Sequence, residues 1–120
     1  MKTVLTVDDS ASARQAIKIA LSGAGYGVVE AGDGLLGLAA AKSNSAQLVV
    51  TDLNMPNMDG LSFIKALRQF PAYRGIPIVF LTTESDESVK REARAAGATA
   101  WITKPFKQEQ LVAVVKKLIG

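Results

Sequence analysis

Five times along the chain a short apolar run gives way to a helical pattern, and this strict alternation limits the possible folds more than any other feature. The runs are Thr3-Val4-Leu5-Thr6-Val7, Val28-Val29-Glu30-Ala31, Leu48-Val49-Val50-Thr51, Pro77 to Thr83, and Ala100-Trp101-Ile102-Thr103. They are rich in β-branched residues, and turn residues such as Gly32-Asp33-Gly34, Met55-Pro56-Asn57-Met58-Asp59-Gly60 and Lys104-Pro105 bound them. Between the runs, Ala13, Ala16, Ile17, Ala20 and Leu21 share a helical face that stops at Gly23-Ala24-Gly25. Leu35, Leu38, Ala39 and Ala41 mark a second helix, in which Gly37 is an unfavourable residue. Leu61, Ile64 and Leu67 mark a third that closes before Pro71. Val89, Ala93 and Ala96 give a thin fourth over Glu87 to Ala96, and Leu111, Val112, Val115, Leu118 and Ile119 organise the last. Such alternation predicts an α/β fold, a parallel sheet covered on both faces, because each right-handed crossover lays a helix over the sheet. At 120 residues the chain is expected to form one domain over 1–120.

What the chain lacks narrows its chemistry. It has no cysteine and no histidine, which removes disulfides, thiolate nucleophiles and the commonest general base and transition-metal ligand. Carboxylates, hydroxyls and lysine remain. The net charge is +3, yet the basic residues are scattered over several helices without interleaved aromatics, so nucleic-acid binding is not expected. No apolar run approaches a signal h-region or a membrane span, and a cytoplasmic location is the simplest expectation.

In doubly wound sheets ligands bind beyond the carboxyl ends of the strands. Those ends carry Asp8 and Asp9 after the first run, Asp52 after the third, Thr82 at the end of the fourth and Lys104 after the fifth. For Asp52 alone two readings stand: a cap for the loop that follows, or the reacting group. The company it keeps favours the second. Close carboxylates repel by about 4 kcal/mol per pair at an effective dielectric near 20, more than a single lysine offsets. A hard divalent cation remedies that, and oxygen donors with room for water and phosphate suit Mg²⁺. Asp52 beside the metal and Lys104 is then a nucleophile toward phosphorus, with Lys104 and Thr82 placed to neutralise and hold the phosphoryl oxygens.

Together, Val7-Asp8-Asp9-Ser10, Thr51-Asp52 with Met55-Pro56 and Asp59-Gly60, Leu81-Thr82, and Lys104-Pro105-Phe106 resemble the receiver-domain family of two-component response regulators, its single-domain chemotaxis members in particular. The resemblance runs the length of the chain. It implies a flavodoxin-like doubly wound sheet of five strands in the order 2-1-3-4-5 with five helices. It also implies phosphorylation of Asp52 by a sensor histidine kinase (CheA-like), and Mg²⁺ held by Asp9, Asp52 and the Asn54 backbone carbonyl, with Asp8 acting through water. Thr82 and Lys104 would contact the phosphoryl group, and the Lys104-Pro105 bond would be cis. Such proteins are phosphoacceptors rather than turnover enzymes.

Switching is implied in the same way: Thr82 moves toward the phosphoryl group and the aromatic at position 101 swings inward behind it. Trp101 stands where tyrosine or phenylalanine is commoner, and it has the alternative of packing on the last helix. Asn54 and Glu84 occupy positions that tune dephosphorylation, and Thr83 is large enough to narrow the approach of water, so moderate self-dephosphorylation is expected. The fourth helix, fifth strand and last helix form the face that meets targets such as a flagellar motor switch component. Lys90, Arg91, Arg94, Lys107, Lys116 and Lys117 there either complement an acidic partner or are simply solvated. Ala13, Arg14 and Ile17 are candidates for docking the phosphodonor, with Ile17 open to a core role. A monomer is expected. Two other functions compete: a phosphate sink or relay receiver, and a small Mg²⁺-dependent aspartyl phosphohydrolase. The second lacks a general acid, since Asn54 stands two residues beyond Asp52.

Overall fold

A computed structural model of the chain describes residues 1–120. The elements run β1 (Thr3–Val7), α1 (Ala11–Gly23), β2 (Gly27–Ala31), α2 (Gly34–Ser43), β3 (Leu48–Thr51) and α3 (Gly60–Leu67). A 3₁₀ turn (Pro71–Tyr73) precedes β4 (Ile78–Thr82), α4 (Glu87–Ala96), β5 (Ala100–Thr103) and α5 (Gln108–Ile119). All neighbouring strands pair in parallel, in the order β2-β1-β3-β4-β5, as expected. The Lys104-Pro105 peptide is cis. No helix is long and apolar enough to cross a membrane.

The period of two along each strand divides the core into two layers. Leu5, Val7, Val49, Ile78 and Phe80 face one way and meet Phe63, Ile64 and Leu67 of α3. Val4, Leu48, Val50, Val79, Leu81 and Ile102 face the other way and meet Ile17 and Leu21 of α1 with Leu111 and Val115 of α5. Each of the large side chains among these contributes about 1.5–3 kcal/mol through removal from water. Four helices start on a side-chain cap: Ser10 accepts from Ala13 N, Asp33 from Leu36 N, Asp59 from Ser62 N and Asp86 from Ser88 N. Asp33, hydrogen-bonded by the Leu36 N–H and then by the Asn57 amide, is held below the ordinary aspartate pKa, and Ser88 does the same for Asp86.

Helix α2 forms where expected, but the residues that mark it divide: Leu35 and Ala39 are exposed, Leu38 is half-buried against the core and Ala41 is buried, with Gly34 and Gly37 beside it. Gly37 is there because of close approach, since a Cβ at that position would lie 2.9 Å from Phe63 Cε1 and 3.0 Å from Val7 Cγ2. Of the two roles open to Ile17, the structure gives it the core one, at 1 % exposure.

Two connections rest on side chains that show no pattern in the sequence. The Arg68 guanidinium donates to the carbonyls of Tyr73 (2.6 Å), Ile76 (2.7 Å) and Gly97 (2.6 Å), tying the approach to β4 to the end of α4. Tyr73, which is buried, places its hydroxyl 2.8 Å from the Ala41 carbonyl and 2.7 Å from that of Asn44, which fixes the end of α2.

Candidate functional site

Register brings the acidic residues together. Val7 of β1 pairs with Thr51 of β3, so the next residue on each strand, Asp8 and Asp52, emerges at the same edge. Backbone bonds hold both: Asp8 N donates to the Ala31 carbonyl at 3.1 Å, and Asp52 N to that of Val7 at 2.9 Å. Lys104 follows β5, its N–H bonded to the Thr82 carbonyl at 2.7 Å, and its side chain crosses the end of β4 to reach both acids.

Carboxylate oxygens of Asp8, Asp9 and Asp52 all lie within 4.8 Å of one another. The Lys104 ammonium donates to Asp8 Oδ2 at 2.8 Å and to Asp52 Oδ2 at 3.3 Å. The remaining oxygens of these two acids accept backbone N–H groups, Asp8 Oδ1 from Ser10 at 2.9 Å and Asp52 Oδ1 from Leu53 at 2.7 Å. Asp8 is 1 % exposed, Asp9 is open to solvent and Asp52 is intermediate. Burial pulls the Lys104 pKa down, but the hydrogen bond and charge of Asp8, joined by Asp52, outweigh it and hold the ammonium above its ordinary value. Three carboxylates against one ammonium leave about two negative charges uncompensated among all-oxygen donors, which is the charge and donor chemistry that Mg²⁺ requires.

The floor of the site depends on Gly60. A Cβ there would meet the Asp52 carbonyl oxygen at 2.3 Å and Phe80 Cε1 at 2.7 Å, so only glycine lets α3 start this close to the end of β3. Its N–H donates to the Leu53 carbonyl at 2.7 Å, closing the loop that carries Asn54.

The remaining candidates fall around this centre in different ways. Thr82 is fully buried, with Oγ1 3.4 Å from Glu84 N. Thr83 is exposed. The Glu84 carboxylate is turned back on its own loop, accepting from the N–H groups of Ser85 and Asp86 at 3.0 and 3.2 Å. Asn54 is exposed and, with Leu53, Leu61, Glu84 and Val89, lines a cleft of about 300 Å³ beside Asp52.

Trp101 does not pack on the last helix. It belongs to the layer covered by α3 and α4, its ring 5.4 Å from that of Phe80, its cross-strand partner, and 5.8 Å from the Lys90 ammonium on α4. The indole N–H donates to the Glu84 carbonyl at 3.1 Å. Phe80 and Thr82 point to the same side of β4 by strand alternation, so the indole shares that side with the Thr82 hydroxyl.

Arg14, a candidate for docking the phosphodonor, is tied to the loop of the site. Its Nη1 donates to the Asp8 carbonyl at 2.5 Å and its Nε lies 3.4 Å from Glu30 Oε1. A signal for this existed, since a side chain in the first turn of a helix leans toward the N-terminus and hence over the loop before it.

Known proteins resemble this chain in sequence and fold. The family model for the response regulator receiver domain matches residues 4–116. A probable chemotaxis protein CheY of Rhizobium etli is 33% identical over 118 residues, covering 98% of this chain and 92% of the relative. The KDP operon transcriptional regulatory protein KdpE of Escherichia coli is 39% identical over 106 residues, covering 88% of this chain and 46% of that protein. The crystal structure of Vibrio cholerae chemotaxis protein CheY4 superposes with a TM-score of 0.96 at 42% identity, covering 99% of both chains. A family match over almost the whole length, a relative of matching size and a sheet with the expected strand order agree: the chain belongs to the response regulator receiver domain family and is the receiver domain of a two-component response regulator.

Proposed function

We propose that Asp52 is the phosphoacceptor of this receiver, taking a phosphoryl group from a phosphohistidine of a sensor histidine kinase. The observation that carries the reading is the convergence of Asp8, Asp9 and Asp52 with the Lys104 ammonium at one sheet edge. An oxygen of Asp52 bonds to phosphorus as the P–N bond breaks, and the donor imidazole leaves with the electron pair. Lys104, already within 3.3 Å of Asp52, is placed to neutralise charge on the phosphoryl oxygens, and Thr82 supplies a hydroxyl to them. Mg²⁺ would be held by Asp9, Asp52 and the Asn54 backbone carbonyl, with Asp8 acting through water. Bound there, it would supply charge neutralisation to the transferred group. Asp8 also keeps the lysine charged and in place.

Phosphorylation then biases a two-state equilibrium by new contacts to Thr82, and Trp101 is the aromatic that responds. The indole would exchange its bond to the Glu84 carbonyl for an inward position, altering the face formed by α4, β5 and α5. Likeness to the chemotaxis relatives supports a motility target such as a flagellar motor switch component. A phosphate sink or relay role shares all the same chemistry. Asn54, Thr83 and Glu84 set the access of water, giving a phosphoryl lifetime well short of hours.

The test is incubation with a small acyl-phosphate donor, with and without Mg²⁺, read by intact mass and by Trp101 fluorescence. One phosphoryl adduct that needs Mg²⁺ and is absent in Asp52→Asn is the expected result. An adduct that persists in Asp52→Asn refutes the acceptor. An adduct without a fluorescence change refutes the role of Trp101.

A further inference from the structure

We propose that Arg14 is a positioning residue for the Mg²⁺ site: its guanidinium, aimed by Glu30, fixes the peptide between Asp8 and Asp9 and so sets the direction of the Asp9 carboxylate. This rests on the reading of Asp9 as a ligand given above. Its basis is the way the loop between β1 and α1 is held. Asp8 is anchored at every polar atom: its N–H by the Ala31 carbonyl, Oδ1 by Ser10 N, Oδ2 by Lys104, and its carbonyl by Arg14 Nη1. Only the last of these acts on the peptide plane that leads into Asp9. Asp9 itself is exposed, so its direction is inherited from the backbone on either side.

The arginine is itself held in place. Glu30 Oε1 lies 3.4 Å from its Nε, Glu30 Oε2 lies 3.8 Å from the Lys18 ammonium, and the Arg14 side chain is only 21% exposed. A planar fork can reach a carbonyl with one nitrogen and a carboxylate with another, which an ammonium on a flexible stem does not reproduce. The position on the first turn of α1 supplies the reach, since side chains there lean back over the preceding loop.

Charge alone predicts the opposite of positioning. Arg14 is a cation close to a cation site, so if it acts only through its charge, removing it tightens Mg²⁺ binding. If it positions Asp9, removing it weakens binding, and loss of an outer partner that orients a ligand typically costs about 10–100-fold in metal affinity.

The experiment is calorimetric titration of the full chain with MgCl₂ in wild type, Arg14→Gln, Arg14→Lys and Asp9→Asn, with the melting temperature of each measured in EDTA. The expected result is an affinity at least about tenfold weaker in Arg14→Gln, an intermediate loss in Arg14→Lys, and metal-free melting close to wild type. Unchanged or tighter binding in Arg14→Gln overturns the proposal, as does wild-type affinity in Arg14→Lys. Should Arg14→Gln fail to fold, Arg14→Lys decides by the same criterion. Wild type that binds no Mg²⁺, or Asp9→Asn that binds as wild type does, instead refutes the metal-site reading and takes the role of Arg14 with it.

Discussion

Helices α3 and α4 cover the same face of the sheet, but they are held there by different means. In eight residues α3 buries Gly60, Phe63, Ile64 and Leu67, whereas in ten residues α4 buries Ala93 alone. What secures α4 is polar and sits at its ends: the Asp86 cap and the indole–Glu84 bond at one, the Arg68 bond to the Gly97 carbonyl at the other. Segments with little buried apolar area open at the lowest free energy, so the wall beside Asp52 is the more rigid and the α4 wall, part of the proposed output face, the looser. The proposed function calls for both properties in one layer: an acceptor that does not move and a neighbouring surface that does.

The comparison breaks most visibly in the core. Phe63→Ala should cost about 3–5 kcal/mol in denaturant unfolding, against under about 1 kcal/mol for Val89→Ala on half-buried α4. Equal costs would mean that α4 is as firmly seated as α3. Next in size, Gly60→Ala should cost about 1–3 kcal/mol by driving a methyl group into the Asp52 carbonyl, and should slow phosphorylation by displacing that residue. A Gly60→Ala protein with wild-type phosphorylation rates would show that α3 does not set the acceptor.

Thr6 offers a sharper probe, because its fully buried hydroxyl has no hydrogen-bond partner. Thr6→Val should stabilise the whole fold by about 1 kcal/mol. Hydrogen exchange should then slow in α3 and the strands while local opening of α4 stays as it was. Uniform slowing that includes α4 would show that α4 opens only with the rest of the molecule.

The smallest effect is the pH dependence of the α4 cap. Hydrogen bonds from Ser88 hold Asp86 below the ordinary aspartate pKa when folded, so its contribution is complete above the unfolded pKa and disappears as pH falls through the depressed folded one. Asp86→Ala should therefore speed exchange in the first turn of α4 at neutral pH and lose that effect in acid. A difference that persists unchanged in acid would assign the effect to something other than the charged cap.

Sequence pattern made the strands, their order of appearance and their polar ends legible, because alternation and strand-end chemistry are local signals. The boundaries of α4 read correctly for the same reason, from its apolar stripe and Gly97. The buried face of helix α2 was legible only in part, in Leu38 and Ala41, since the rest of it is glycine and Leu35 points outward. Phe63 left no mark in the pattern because its meaning lies in the gap opposite Gly37. Arg68 and Tyr73 were silent because their partners are carbonyls on distant loops, which residue types do not encode. Arg14 was noticed as a docking candidate, but its bond to the Asp8 carbonyl was not.

The lysine of the site has a consequence in time. Asp8 and Asp52 lie 96 and 52 residues before Lys104. During synthesis the acids are therefore made well before the one cation that bridges them. Until β5 emerges and docks beside β4, a nascent chain holds an acidic cluster with no ammonium, and a contact spanning 96 residues is the one that completes the site. On the proposed function, competence to accept a phosphoryl group would thus be switched on late, by the arrival of the last strand, and a product that stops short of it would carry Asp52 without Lys104.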